Sequence, residues 1–317
     1  MSVLDFEKPI YELDSKIREL KSFETDKNVE LDPEICKLEE KLQKIREEIY
    51  GKLSPWQRVQ IARHPDRAYT MDYIRMMTTD FVELHGDRQF ADDLALVAGL
   101  AKIDGQKVMV MGHQKGRDTK ENIMRNFGCA HPEGYRKAMR LMKMAEKFNL
   151  PIIVFIDTPG AYPGVGAEER GQAHAIAENL RDMAQLKIPI IATIIGEGGS
   201  GGALGIGIAD RVCILEHAYY SVISPEGCAS ILWRNSVKAP LAAEALKING
   251  EHLLKFGIVE EVIPEPLGGV HHDPESVAMV LQETIVKYIK ELSMLSKDEL
   301  IEARYNKFRK IGEYTEG

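Results

Sequence analysis

Residues 196–210 read GEGGSGGALGIGIAD, directly after the uncharged, β-branched run IPIIATII at 188–195. Such a run predicts a strand buried on both faces of a parallel sheet. Ala203, Leu204, Ile206 and Ile208 then predict a short, deeply buried helix with no polar face. Strand, glycine-packed turn and helix in that order predict an α/β fold. A helix start leaves backbone N–H groups unpaired, and its dipole favours negative charge. Glycines, lacking Cβ, let a reacting oxygen approach those donors. The stretch therefore predicts a main-chain anion cradle with Gly198, Gly199, Gly201 and Gly202 as donors.

Other motifs overlap it. Gly196, Gly198 and Gly201 fit the dinucleotide pattern G-x-G-x-x-G. Gly198, Ser200 and Gly202 fit the nucleophile elbow G-x-S-x-G. An oxyanion hole for an enolate-type intermediate is a third reading. Close helix–strand packing without chemistry is a fourth. The dinucleotide reading is weakened because the helix ends by Asp210-Arg211, although Glu216 is available as a ribose-binding acid. The elbow needs a histidine base. His217 is too near in sequence and lies in a strand-like run.

One βα unit upstream, Pro151 to Ile156 predicts a buried strand that ends in DTPGAYPGVG (157–166). Prolines and glycines stiffen this loop, and loops at the carboxyl ends of strands carry sites. Gly160, Ala161, Tyr162, Pro163 and Gly164 are thus candidate substrate-binding residues, beside the cradle. Asp157 is read first as a turn cap and second as an acid or base. Lys115, Arg117 and Lys120 form a basic cluster at another strand end, suited to a phosphate or simply solvated. Before it, Leu94 to Ile103 and Val108 to His113 flank Asp104-Gly105, a hairpin signal.

Elsewhere the periodicity is helical. Phe6, Ile10, Leu13, Ile17 and Leu20, then Ile35, Leu38, Leu42, Ile45 and Ile49, predict two helices joined through Thr25 to Pro33. They form a hairpin over residues 1–52, either a cap or a partner-binding arm. Thr70 is expected to cap a helix running through Tyr73, Ile74, Met77, Phe81 and Leu84. A helix from Pro132 buries Ala138, Leu141, Met142, Ala145 and Phe148. One from Ala167 to Leu186 turns Ala173, Ile176, Ala177, Leu180 and Met183 inward. Ser224-Pro225-Glu226 is a helix start. His271-His272 is expected to be a solvated pair. A main domain over 53–296 precedes a polar helical tail, 297–317.

The 317 residues carry a net charge of −8, which argues against nucleic acid. Four scattered cysteines without a CxxC pair predict reduced thiols and no metal site. No secretory leader and no apolar run of 18 residues are present, so a soluble, cytoplasmic protein without membrane contact is expected.

The motifs at 157–172, 196–207 and YSVISPEGCASILW (220–233), with GHQKGR (112–117) and IPEPLGG (263–269), resemble the α-subunit family of the bacterial acetyl-CoA carboxylase carboxyltransferase. The resemblance spans essentially the whole chain. It implies a crotonase-like (ClpP/crotonase) spiral of ββα units. It also implies transfer of a carboxyl group from carboxybiotin, on a separate biotin carboxyl carrier protein, to acetyl-CoA, giving malonyl-CoA for fatty-acid synthesis. Implied partners are a β subunit, in an α2β2 heterotetramer, and a biotin carboxylase. Zinc would sit on β alone, and ATP would be used by the biotin carboxylase. Gly201 and Gly202 would face the biotin ureido oxygen, with Gly198 and Gly199 shaping the turn. A side chain at Gly202 is expected to block the cradle without disturbing the fold.

Overall fold

A computed structural model describes residues 3–27 and 32–312. In chain order the helices are α1 (Lys8–Lys27), α2 (Asp32–Tyr50), α3 (Pro55–Ala62), α4 (Thr70–Met77), α5 (Thr119–Met124), α6 (Pro132–Lys147), α7 (Val165–Glu169), α8 (Gln172–Met183), α9 (Ser200–Leu204), α10 (Pro225–Trp233), α11 (Ala239–Leu246), α12 (Gly250–Lys255), α13 (Pro274–Leu292) and α14 (Lys297–Arg309). The strands are β1 (Thr79–Glu83), β2 (Leu96–Ile103), β3 (Gln106–His113), β4 (Ile152–Thr158), β5 (Ile190–Gly199), β6 (Arg211–Leu215), β7 (Tyr219–Ser221) and β8 (Glu261–Ile263).

They form one sheet in the order β1-β2-β3-β4-β5-β6-β8, with β7 also beside β5. The β1–β2 and β2–β3 pairs are antiparallel, and the remaining pairs are parallel. Every residue of β4 and β5 is buried, as their apolar runs predict. The β2–β3 hairpin turns at Asp104 and Gly105, whose φ values of +47° and +75° explain the Asp-Gly choice.

Five expectations change. The helix from Thr70 stops at Met77, and Phe81 lies in edge strand β1. Thr70 is not a cap: its hydroxyl donates to the His113 carbonyl at 2.5 Å. The helix expected over 167–186 is broken at Gly171, φ +81°, into α7 and α8. Its inward face is Gln172, Ala175, Asn179 and Met183, while Ala173 and Ala177 are exposed. The inward face includes polar side chains because Asn179 Nδ2 donates to the carbonyls of Tyr135 (2.9 Å) and Gly205 (2.8 Å). Phe148 is exposed, one residue past the end of α6.

The N-terminal seam forms as the heptad-like spacing predicts. Ile10, Ile17, Ile35 and Leu42 are buried in one cluster that also takes in Ile61 of α3. Tyr50 donates to Glu7 at 3.0 Å, closing the base of the hairpin. The link between the two helices lies partly outside the described residues. At the other end, the polar helix α14 is anchored. Arg304, 1% exposed, is bidentate on Asp210 and donates to three carbonyls, Met183, Leu186 and Ile188.

Candidate active site

The glycine stretch is not one turn. β5 runs through Gly196, Glu197, Gly198 and Gly199, which lie in the sheet. Gly198 is in register with Thr158 and Tyr220, and Gly199 with Ser221. Their peptide groups thus belong to the ladder. The backbone then breaks at Ser200, φ +53°, and α9 begins. Gly201 and Gly202 occupy its first turn, where amides have no intrahelical acceptor. Neither amide donates to a protein acceptor among the described residues. Of the four glycines expected as donors, Gly198 and Gly199 are thus ladder residues, and Gly201 and Gly202 lie at the helix start.

The two loops meet, backbone on backbone. A Cβ at Gly199 would lie 2.2 Å from the Pro159 oxygen, and one at Gly202 would lie 2.4 Å from the Gly160 carbonyl carbon. Gly202 is therefore needed for packing, and the expectation that a side chain there spares the fold fails. Gly201 differs: its Cβ would meet only Ile176, at 3.8 Å. The loop itself is fixed by Thr158, not Asp157: the Thr158 hydroxyl accepts from Gly160 N (3.1 Å) and donates to Gly160 O (2.7 Å). Ala161, Tyr162 and Gly164 are half-buried and Pro163 is exposed. Tyr162 stacks on His131 with ring centroids 4.1 Å apart.

Beneath the glycines lies a charge network that local sequence does not reveal. Lys115 Nζ reaches Asp157 Oδ1 (2.7 Å) and Glu197 Oε1 (2.9 Å). Glu197 Oε2 accepts from Arg63 Nε (2.7 Å) and Tyr219 OH (2.6 Å). Burial would raise the Glu197 carboxyl, but Lys115 and Arg63 outweigh it and hold it at about 2. Burial opposes the charge on Lys115, yet the two carboxylates push its ammonium well above the usual lysine range. The expected phosphate cluster is not assembled. Lys115 points inward onto carboxylates. Arg117 stacks on Tyr69 and donates to the Pro65 and Arg67 carbonyls and to Asp72. Lys120 is exposed on α5.

Ser200 lines an apolar cavity of about 620 Å³ together with Leu204, Ile208, Tyr220, Val222 and Phe256. No histidine is among its described lining residues, so Ser200 has no base there. The dinucleotide geometry is also missing: Gly196 and Gly198 lie inside a strand, and α9 has only five residues. Glu216 accepts from Glu265 N at 3.1 Å.

The acetyl co-enzyme A carboxylase carboxyltransferase-like family model matches residues 3–312. The chain belongs to that family. It is 59% identical over 313 residues to the acetyl-coenzyme A carboxylase carboxyl transferase subunit alpha of Geobacter metallireducens, covering 99% of this chain and 98% of the relative. It is 55% identical to the subunit of the same name from Thermus thermophilus, covering 99% of each. Among solved structures it is similar to transcarboxylase 12S, with TM-score 0.54 and 21% identity, over 71% of this chain and 44% of the other. A Pseudomonas malonate decarboxylase hetero-tetramer matches with TM-score 0.56 and 16% identity, over 70% and 89%. These likenesses give the crotonase-like fold.

Within this family member, three groups holding α9 escaped the sequence reading. Tyr135 OH donates to the Gly202 carbonyl (3.3 Å). Asn179 holds Gly205. The buried His113 ring lies against the Gly202 backbone, and burial, with the Lys115 charge, lowers it to about 3. Their only local signal is a polar residue on an otherwise apolar face. His271 also departs from expectation: both ring nitrogens are buried, and the ring stacks on His64 at 3.9 Å. Among the described residues no group of three or more His, Cys, Asp or Glu is placed to hold a metal, and no helix is long and apolar enough to cross a membrane.

Proposed function

We propose that this chain is the α-type subunit of a biotin-dependent acetyl-CoA carboxylase carboxyltransferase, moving a carboxyl group from carboxybiotin to acetyl-CoA to form malonyl-CoA. The observation that carries it is the pair of acceptor-free amides at Gly201 and Gly202, in a chain 59% identical end to end to a subunit so named. Carboxybiotin, when bound, supplies the activated carboxyl group, and its loss leaves negative charge on the ureido oxygen. The residues present suit that oxygen. Two N–H donors sit at a helix start, Gly201 is open on its outer side, and the nearby carboxylates of Asp157 and Glu197 are paired with Lys115. One such donor is worth about 10²–10³ in rate, roughly 2.7–4 kcal/mol. No side-chain nucleophile is needed.

The remaining assignments belong to the same proposal. The carrier and a β subunit are partners, assembled as α2β2 with a biotin carboxylase that uses ATP. Zinc belongs to β, and the reaction runs in the cytoplasm. Gly160 to Gly164 border the substrate, while Gly198 and Gly199 shape the approach to the donors. The α chain alone is inactive, because the acetyl-CoA thioester is held by β. Co-expression with the β chain, followed by assay of carboxyl transfer between carboxybiotin and acetyl-CoA, tests this. Transfer by the pair and by neither chain alone is expected, and an inactive, correctly assembled pair overturns it.

A further inference from the structure

The end of β5 carries an irregularity that the glycine motif does not explain. Ile156 is in register with Ile194, yet Thr158 is in register with Gly198. Two steps along β4 thus face four steps along β5. A bulge of this kind unpairs backbone groups and re-aims the strand beyond it. Here the Glu197 N–H finds Asp157 Oδ1 at 2.9 Å. The same oxygen takes Lys115 Nζ at 2.7 Å, and that nitrogen reaches the Glu197 carboxylate at 2.9 Å. Strand, strand and lysine close a ring across the bulge.

We propose that Lys115 is a positioning residue for carboxyl transfer: by clamping Asp157 to Glu197 it fixes the bulge that delivers the Gly201 and Gly202 amides. The proposal rests on the functional reading above. Asp157 directly precedes the loop containing Gly160, and Glu197 lies four residues before Gly201. The Gly160 and Gly202 backbones are the surfaces that touch. One ammonium thus tethers both sides of that contact. The clamp is enclosed: a Cβ at Gly128, φ +81°, would lie 2.9 Å from the Asp157 carbonyl oxygen and 3.1 Å from Lys115 Cγ. Arg63 extends the network to Glu226, at the start of α10.

The other titratable groups facing the clamp leave it intact near neutral pH. Burial keeps His113 neutral and raises Cys129 to about 11. Burial likewise raises Tyr69 and Tyr219. Arg67 is paired with Glu265 at 2.6 Å.

The test is steady-state carboxyl transfer by the assembled α–β complex carrying Lys115→Met, Glu197→Gln, or both. A misplacement of about 1 Å costs on the order of 10²-fold, so Lys115→Met is expected to lower kcat about that much, with KM for acetyl-CoA within about twofold. Without the ammonium, Glu197 binds a proton at higher pH, and the resulting O–H can bridge to Asp157. The variant's kcat relative to wild type should therefore rise as pH is lowered. In the double variant the carboxamide that replaces the Glu197 carboxylate offers an N–H to Asp157, and kcat should recover to within about threefold of wild type. A merely structural lysine would lower yield and melting temperature but not kcat per assembled complex. The proposal is overturned if Lys115→Met keeps normal kcat, or if neither acid nor Glu197→Gln restores what it loses. If Lys115→Met does not assemble, the double variant alone decides by the same threshold. If neither assembles, the lysine is structural and the proposal fails. An inactive wild-type complex would instead sink the functional reading itself.

Discussion

Gly201 is the position where chemistry and packing come apart. A Cβ there would touch only Ile176, at 3.8 and 3.9 Å, which is ordinary contact. Valine is a few tenths of a kcal/mol better than glycine in a helix, so Gly201→Val should leave stability within about 0.5 kcal/mol. In a helix the Cα–Cβ bond leans toward the N-terminus. The added methyl groups therefore sit at the mouth of α9, where the Gly201 and Gly202 amides have no protein acceptor. Keeping a substrate oxygen out of reach of one such donor should cost about 10²–10³ in kcat. Gly202→Val is the contrasting case. Its Cβ would lie 2.4 Å from Gly160 C and 2.5 Å from Ala161 N, so the loop must move, at about 1–3 kcal/mol. The assay pairs thermal unfolding of each variant with carboxyl transfer by the assembled complex. A folded, assembled Gly201→Val enzyme with kcat within threefold of wild type would show that the amides at this helix start do not hold the developing charge.

Other outcomes follow from the same structure. Arg304→Ala leaves Asp210 buried and unpaired, and should destabilise the chain by about 3–5 kcal/mol, read as a fall in Tm on the order of 10 °C. An unchanged Tm would show that α14 is not held by this pair. Burial depresses His113 in the folded state to about 3, so the unfolded chain binds the extra proton below about 6.5. Stability should therefore fall as pH drops from about 6.5 to 3, and His113→Leu should flatten unfolding free energy against pH by about 1.4 kcal/mol per pH unit. A parallel curve would count against a neutral His113. Deleting residues 6–49 is expected to weaken α–β assembly, measured by sedimentation, while assembled material retains its kcat. Intact assembly with lost turnover would reverse that role.

What could be read from the chain depended on how local each cause is. The β4 and β5 runs, the Asp104-Gly105 turn and the Ser224 cap, whose hydroxyl accepts from Gly227 N at 3.1 Å, are fixed by neighbours within a few residues. The α1–α2 seam likewise follows from spacing alone. Phe81 misled because its distance from Ile74 and Met77 also suits a helix, whereas pairing of β1 with β2 decides its strand. Asn179 and Gln172 misled because a polar residue on an amphipathic helix normally faces water. Both instead satisfy carbonyls of other segments. At the site, the glycines were legible as a place of close backbone approach. Which of them kept free amides was not, since that depends on the pairing of Gly198 and Gly199 with β4 and β7. The Arg63–Glu197–Lys115–Asp157 chain joins residues up to 134 apart in sequence.

Peptide N–H groups, not side chains, are proposed to hold the charge that develops during transfer. Replacing the Gly201 or Gly202 amide by an ester removes one N–H and adds no atom. In the assembled enzyme each such replacement should cut kcat by about 10²–10³ with little change in KM. Ester variants of both positions that turn over within threefold of wild type would contradict it.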